Sequence, residues 1–104
     1  MTIEQIRIRA RVHLLAKGGR TTPLTGPGDY RPNHNFGLAG GEMTMGIIEL
    51  PADRPFVPGE TLVSEMTLFV WPELKAEVQV GREWRIQEGS KLVGTGIILE
   101  LLPS

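Results

Sequence analysis

The sequence predicts an all-β protein built as a small closed or nearly closed barrel, and three observations carry that expectation. Apolar residues alternate with polar ones along several short segments, which is the period of a strand with one buried face. Thirteen Gly and eight Pro in 104 residues supply more turn chemistry than a helical fold uses. No segment repeats apolar residues at helical spacing over any length. About six strands in a chain of this size, with glycines inside strands that must bend, suit a barrel. A two-sheet sandwich is the alternative, although closure better removes the edges that an apolar open sheet leaves bare.

The first strand is the clearest. Ile6, Ile8, Ala10, Val12 and Leu14 alternate with Arg7, Arg9, Arg11 and His13, and Gly18 and Gly19 then end the run. Residues 21–29 hold Pro23, Gly26, Pro27 and Gly28 and read as a loop. Residues 30–36 make a weak strand, because Pro32 lacks an N–H and Asn33 and Asn35 have low strand propensity. A turn at residues 39–41 leads to a strand over 42–50, and the Pro-rich stretch 51–60 is a long loop. Residues 61–71 form the most apolar strand, stopped by Pro72. Alternation of Leu74, Ala76, Val78 and Val80 predicts a further strand over 74–80. Residues 82–87 follow, with Trp84 and Ile86 facing together, then a turn at Gly89 and a last strand over 91–102 containing Gly94 and Gly96.

Composition bounds the function. An apolar content of 40% and a charged content of 22% suit one globular domain spanning residues 1–104. Net charge is −1, so no global field attracts nucleic acid, and any such binding needs a local patch. With no Cys, thiolate metal sites, disulfides and cysteine catalysis are excluded. No apolar run approaches the ~20 residues of a membrane span, and the first residues do not read as a signal peptide. A cytoplasmic protein is expected, and the Met start and the stop just after the last strand suggest a free-standing product.

Five motifs then fall in order along the chain. Gly18-Gly19-Arg20-Thr21-Thr22-Pro23 resembles Gly-Gly-Arg-His-Thr-Pro, and Tyr30-Arg31-Pro32-Asn33 resembles Tyr-Arg-Pro-Gln. Gly46-Ile47-Ile48-Glu49-Leu50-Pro51 resembles Gly-Thr-Ile-Glu-Leu-Pro, and Pro58-Gly59-Glu60 resembles Pro-Gly-Asp. The stretch from Glu88 to Gly96 resembles Glu-Gly-Gly-Arg-Thr-Val-Gly-Ala-Gly. Together they resemble the C-terminal barrel domain of elongation factor Tu over nearly the whole chain. The resemblance implies a six-stranded antiparallel closed barrel. It also exposes departures. The GTPase domain and middle barrel of that family are absent, and no Gly-x-x-x-x-Gly-Lys-[Ser/Thr] loop is present to hold nucleotide phosphates. Strand 61–71 is one residue longer than its counterpart, which predicts a β-bulge or a shifted loop. The stretch after Pro72 is about three residues longer, judged from the same strand and turn signals.

In that family the barrel helps hold the T-stem backbone of aminoacyl-tRNA, which implies RNA-contacting positions at Arg20, Asn33, Met45, Glu88 and Gly89. Arg20 keeps a guanidinium able to bind phosphate. Glu88 and Gly89 keep a turn that a ribose-phosphate chain could approach closely. Met45 replaces a Thr, Gln87 replaces an Arg and Asn33 shortens a Gln, so the contact set is partly eroded. The same glycines also serve the turns of the barrel alone. An RNA-binding module would use Arg20, Arg31, Asn33, Glu88, Gly89 and Lys91, and a lone barrel would bind RNA at only ~10⁻⁴ to 10⁻⁶ M.

Arg7, Arg9 and Arg11 make a basic row with a spacing of about 7 Å, readable as an acidic-partner stripe or as a solvated outer face. Phe69 and Trp71 share a strand face and would mark a protein interface if exposed, whereas Trp84 reads as packing. His13 and His34 lack metal-site spacing. Ser64, Ser90, Glu73 and Glu77 sit in no catalytic motif. The expected function is therefore a non-catalytic binding module without cofactor, nucleotide or membrane. Its expected partner is a protein, either a translation-factor component or a toxin for which the module serves as decoy or immunity protein. RNA is the alternative partner.

Overall fold

The computed structural model describes residues 2–103. Its strands are β1 (Glu4–Leu14), β2 (Gly28–Tyr30), β3 (Asn33–Asn35), β4 (Thr44–Leu50), β5 (Thr61–Val70), β6 (Glu83–Glu88) and β7 (Lys91–Leu102). One short helix, α1 (Pro72–Lys75), lies between β5 and β6. All strand pairings are antiparallel, and they run β1–β5–β4–β3–β6–β7 and back to β1. The sheet is thus a closed six-stranded β-barrel. The sandwich alternative does not apply.

Seven segments make six staves because β2 and β3 are one interrupted strand. Gly28↔Leu50, Asp29↔Glu49, Tyr30↔Ile48, Asn33↔Met45 and His34↔Thr44 follow a single register along β4. The ladder breaks at Arg31-Pro32, where Pro32 has no N–H to donate. The Gly46 N–H still reaches the Pro32 carbonyl at 3.5 Å. The weak strand foreseen over 30–36 is therefore real, and its Pro sets the position of the break.

Strand alternation places the core. Ile8, Ala10, Val12 and Leu14 of β1 point inward with Ile48 of β4, Met66, Leu68 and Val70 of β5, Trp84 and Ile86 of β6, and Val93 and Ile98 of β7. Gly96 faces the Trp84 ring so closely that a Cβ there would stand 2.5 Å from it. At the Leu14 end, Leu24 and Phe56 are buried and joined by paired backbone hydrogen bonds of 2.9 and 2.8 Å. They tie the loop before β2 to the Pro-rich loop before β5.

Two expectations fail. Residues 74–80 are not a strand: Pro72 sits in the first turn of α1, where its missing N–H costs nothing. Leu74 and Val78, four apart, are both buried, whereas Ala76 and Val80 are exposed. The helical turns cap the barrel where β1 begins, with Lys75 bonded to Glu4. Of the bulge or shifted loop expected for residues 61–71, the bulge is absent, since β5 pairs with β1 from Glu4↔Val70 to His13↔Thr61 in one register. Bulges occur instead in β7. Val93 is the extra residue opposite β6, and Leu99 is the extra residue opposite β1.

Candidate functional site

Residues expected to contact RNA do converge on one part of the wall. Asn33 lies between Met45 of β4 and Gln87 of β6, and Gly89 turns β6 into β7 with φ of 61°, next to the Glu88↔Lys91 pair. Met45 is 55% exposed, so an apolar side chain occupies the centre of this patch. Gln87 is almost covered. It accepts from Asn35 Nδ2 at 2.9 Å and donates to the Gly89 carbonyl at 3.2 Å, bracing the turn.

The charges in this patch are largely spent on one another. One oxygen of Glu88, Oε2, accepts from both the Arg20 guanidinium and the Tyr30 hydroxyl. Arg20 also donates to the Thr22 carbonyl and hydroxyl at 3.3 and 3.2 Å, and its guanidinium stands 5.5 Å from the centre of the Tyr30 ring. Burial acts to raise the Glu88 pKa, but the Tyr30 and Arg20 hydrogen bonds outweigh it and hold the carboxyl below its ordinary value. Burial, then Glu88, pushes the Tyr30 phenol above its own. Arg31 pairs with Asp29 at 3.5 Å. Among the described residues, Lys91 is the one cation of the set without an ion pair. Tyr30 was missed in the sequence reading, although it stands in the Tyr-Arg-Pro-Asn motif.

The basic row on β1 is neutralised in the same manner. Arg7 bonds Glu49 of β4 at 2.9 Å and Glu65 of β5 at 2.8 Å, while Arg9 pairs with Glu65 at 3.6 Å and with Glu100 of β7. Cross-strand pairing on an antiparallel outer face explains the arrangement, since Arg9 stands directly between Glu65 and Glu100. Arg11 is exposed, opposite Val63 and Ile97, and has no ion pair among the described residues.

Phe69 and Trp71 are each half-buried, and the structure separates them. Trp71 lines a groove of about 850 Å³ together with Ile3, Leu38, Ala39, Gly40, Glu42, Met43 and Glu73, whereas Phe69 does not. The groove forms where the 38–43 segment before β4 meets the β5–α1 junction. Thr44 fastens these two elements, its hydroxyl donating to the Phe69 carbonyl at 2.5 Å. Its walls are mostly apolar, and its two carboxylates come from different elements. Neither Leu38, Met43 nor Glu42 was singled out in the sequence, where they read as a turn and the start of a strand. Glu73 was considered with Glu77, but Glu77 instead bonds Arg82 at 3.2 Å.

His34 is fully buried inside the barrel, far in character from a metal ligand. Trp84 Nε1 donates to His34 Nδ1 at 3.0 Å, which puts the imidazole proton on Nε2, and that atom has no partner. Burial lowers its pKa to about 4; the Gly46 backbone opposes the shift without making a hydrogen bond to Nε2. His13 lies on the outer face, 3.1 Å from the Thr61 hydroxyl. Ser64 turns its hydroxyl to the Glu49 carbonyl at 2.7 Å, which ties β5 to β4. Among the described residues, no three His, Asp or Glu side chains gather to hold a metal, and no helix is long and apolar enough to cross a membrane. No protein-family model matches the chain.

Proposed function

We propose that the chain is a non-catalytic protein-binding module, related to the C-terminal barrel of elongation factor Tu, that docks its partner in the groove at Trp71. The observation that carries this reading is the groove itself: an apolar concavity floored by Ile3, Leu38, Met43 and Trp71. Half-exposed aromatic and Met side chains in a concave apolar site are the composition of interface cores. The five motifs supply the relation to the translation factor. By that resemblance, the partners to try first are an elongation factor's GTPase domain, its exchange factor, or a toxin that recognises the parent barrel.

The test is capture from lysate with RNase present, repeated with Trp71→Ala and then with each purified candidate. A partner retained by the wild type and lost by the variant supports the module. Retention that disappears with RNase, or that ignores Trp71, counts against it.

RNA binding is the second reading, favoured by the convergence of Arg20, Asn33, Glu88, Gly89 and Lys91 on one patch. Phosphate would have to displace Glu88 from Arg20, which weakens that reading. It requires salt-sensitive binding to structured RNA that falls in both Arg20→Ala and Lys91→Ala.

A further inference from the structure

Resting on the reading that the Trp71 groove is the docking site, we infer that its partner is a polypeptide segment presenting a large apolar side chain flanked by Lys or Arg. Across the rest of the surface, most carboxylates are mated: Glu4 with Lys75, Asp29 with Arg31, Glu49 and Glu65 with Arg7, Glu60 with Arg54, Glu77 with Arg82, Glu88 with Arg20, and Glu100 with Arg9. Only Glu42, Asp53, Glu73 and Glu83 lack a basic partner among the described residues. Two of these four border the same apolar groove. Among the described residues, no cation lines the groove to offset them.

Two uncompensated negative charges beside an apolar floor set the partner's chemistry. They repel an acidic segment on approach and gain from a basic one, and the apolar floor needs a side chain to cover it. Apart from the Trp71 indole N–H, the lining side chains offer no hydrogen-bond donor, so the site has little with which to hold an anionic or acceptor-rich ligand. Met43, with its flexible thioether, adapts to the shape of an inserted apolar side chain. A peptide of alternating basic and apolar character satisfies each of these conditions at once.

The test is a random-peptide display library panned against the immobilised chain, with parallel selections on Trp71→Ala and on Glu42→Lys/Glu73→Lys. Both glutamates are exposed, so the charge-reversal variant is expected to fold as the wild type does, which circular dichroism checks. The expected result is enrichment of sequences with Leu, Ile, Phe or Met next to Lys or Arg, dependent on Trp71. A synthetic peptide from that pool should bind the charge-reversed variant roughly three- to tenfold more weakly at low salt, with the gap closing at high salt. Enriched sequences that need Trp71 but show no basic bias overturn this inference and leave the docking reading standing. Failure to enrich any sequence, or enrichment indifferent to Trp71→Ala, overturns both.

Discussion

The Trp84 indole N–H of β6 donates to Nδ1 of His34 on the adjacent β3, inside the barrel, leaving the proton-bearing Nε2 buried and unpartnered. A buried indole needs an acceptor, and in this core the imidazole is the one it finds. The bond is available only while His34 is neutral. Protonation at Nδ1 would replace an acceptor with a second donor and place a charge among Ile, Leu and Met side chains.

The first prediction concerns pH. The folded-state pKa of His34, about 4, lies below its ordinary value of 6.5, so the unfolded chain binds the proton more readily. Stability from this residue is complete above about pH 6.5 and is lost as pH falls toward 4, by roughly 3 kcal/mol at the lower end. Urea unfolding midpoints across that window should fall with pH in the wild type. In His34→Gln, which keeps an acceptor but cannot titrate there, the slope should flatten; an unchanged slope would assign the effect to other groups.

Glycines on the inner wall yield the second prediction. A Cβ at Gly46 would stand 2.7 Å from the His34 ring and 2.9 Å from Leu68, and one at Gly96 would meet the Trp84 ring at 2.5 Å. Gly46→Ala and Gly96→Ala should each destabilise by about 1–3 kcal/mol through overpacking. The cost of Gly46→Ala should shrink in a His34→Ala background, measurable as a non-additive double-mutant cycle.

Arg20 and Glu88 should show coupling of about 1 kcal/mol at low salt, because a half-buried carboxylate shared with Tyr30 exceeds a simple surface pair. The cycle Arg20→Ala, Glu88→Gln and the double variant measures it. Since the Glu88 pKa is lowered on folding, its contribution is present above the ordinary carboxyl range and is lost as pH drops below it. Coupling that persists undiminished in acid would contradict this assignment.

The outer ladder of Glu49, Arg7, Glu65, Arg9 and Glu100 should matter less. All five side chains are well exposed, so Arg9→Ala should shift stability by less than about 1 kcal/mol, and added salt should erase most of the difference. Thermal unfolding at two salt concentrations is sufficient to see it.

Most of the barrel was legible because its strands carry one buried face each, and β1 alone sets five inward and four outward positions by alternation. Pro32 and its neighbours correctly marked a weak stave. Residues 74–80 misled because Leu74 and Val78 satisfy both a two-residue and a four-residue period, and Pro72 decides between them by fitting a helix start. The two bulges in β7 have no local signature: Val93 and Leu99 are extra only relative to the partners that tertiary pairing gives them. Candidate charges such as Arg7 and Arg20 were visible, but their partners, 42 to 68 residues away in sequence, were not. For the same reason the Trp71 groove could not be read from any single segment, as its walls come from three.

The break between β2 and β3 acts as a spacer of fixed parity. Arg31 and Pro32 hold the places opposite Ile47 and Gly46 without completing the ladder, so the count through the break stays even. Inserting or deleting one residue there would exchange the inside and outside of everything up to Phe36. His34 and Phe36 would turn to water, Asn33 and Asn35 would turn into the core, and Trp84 would lose both its acceptor and the ring stacked on it at 5.3 Å. The stave is thus tolerant of what stands at the break and intolerant of how many residues stand there.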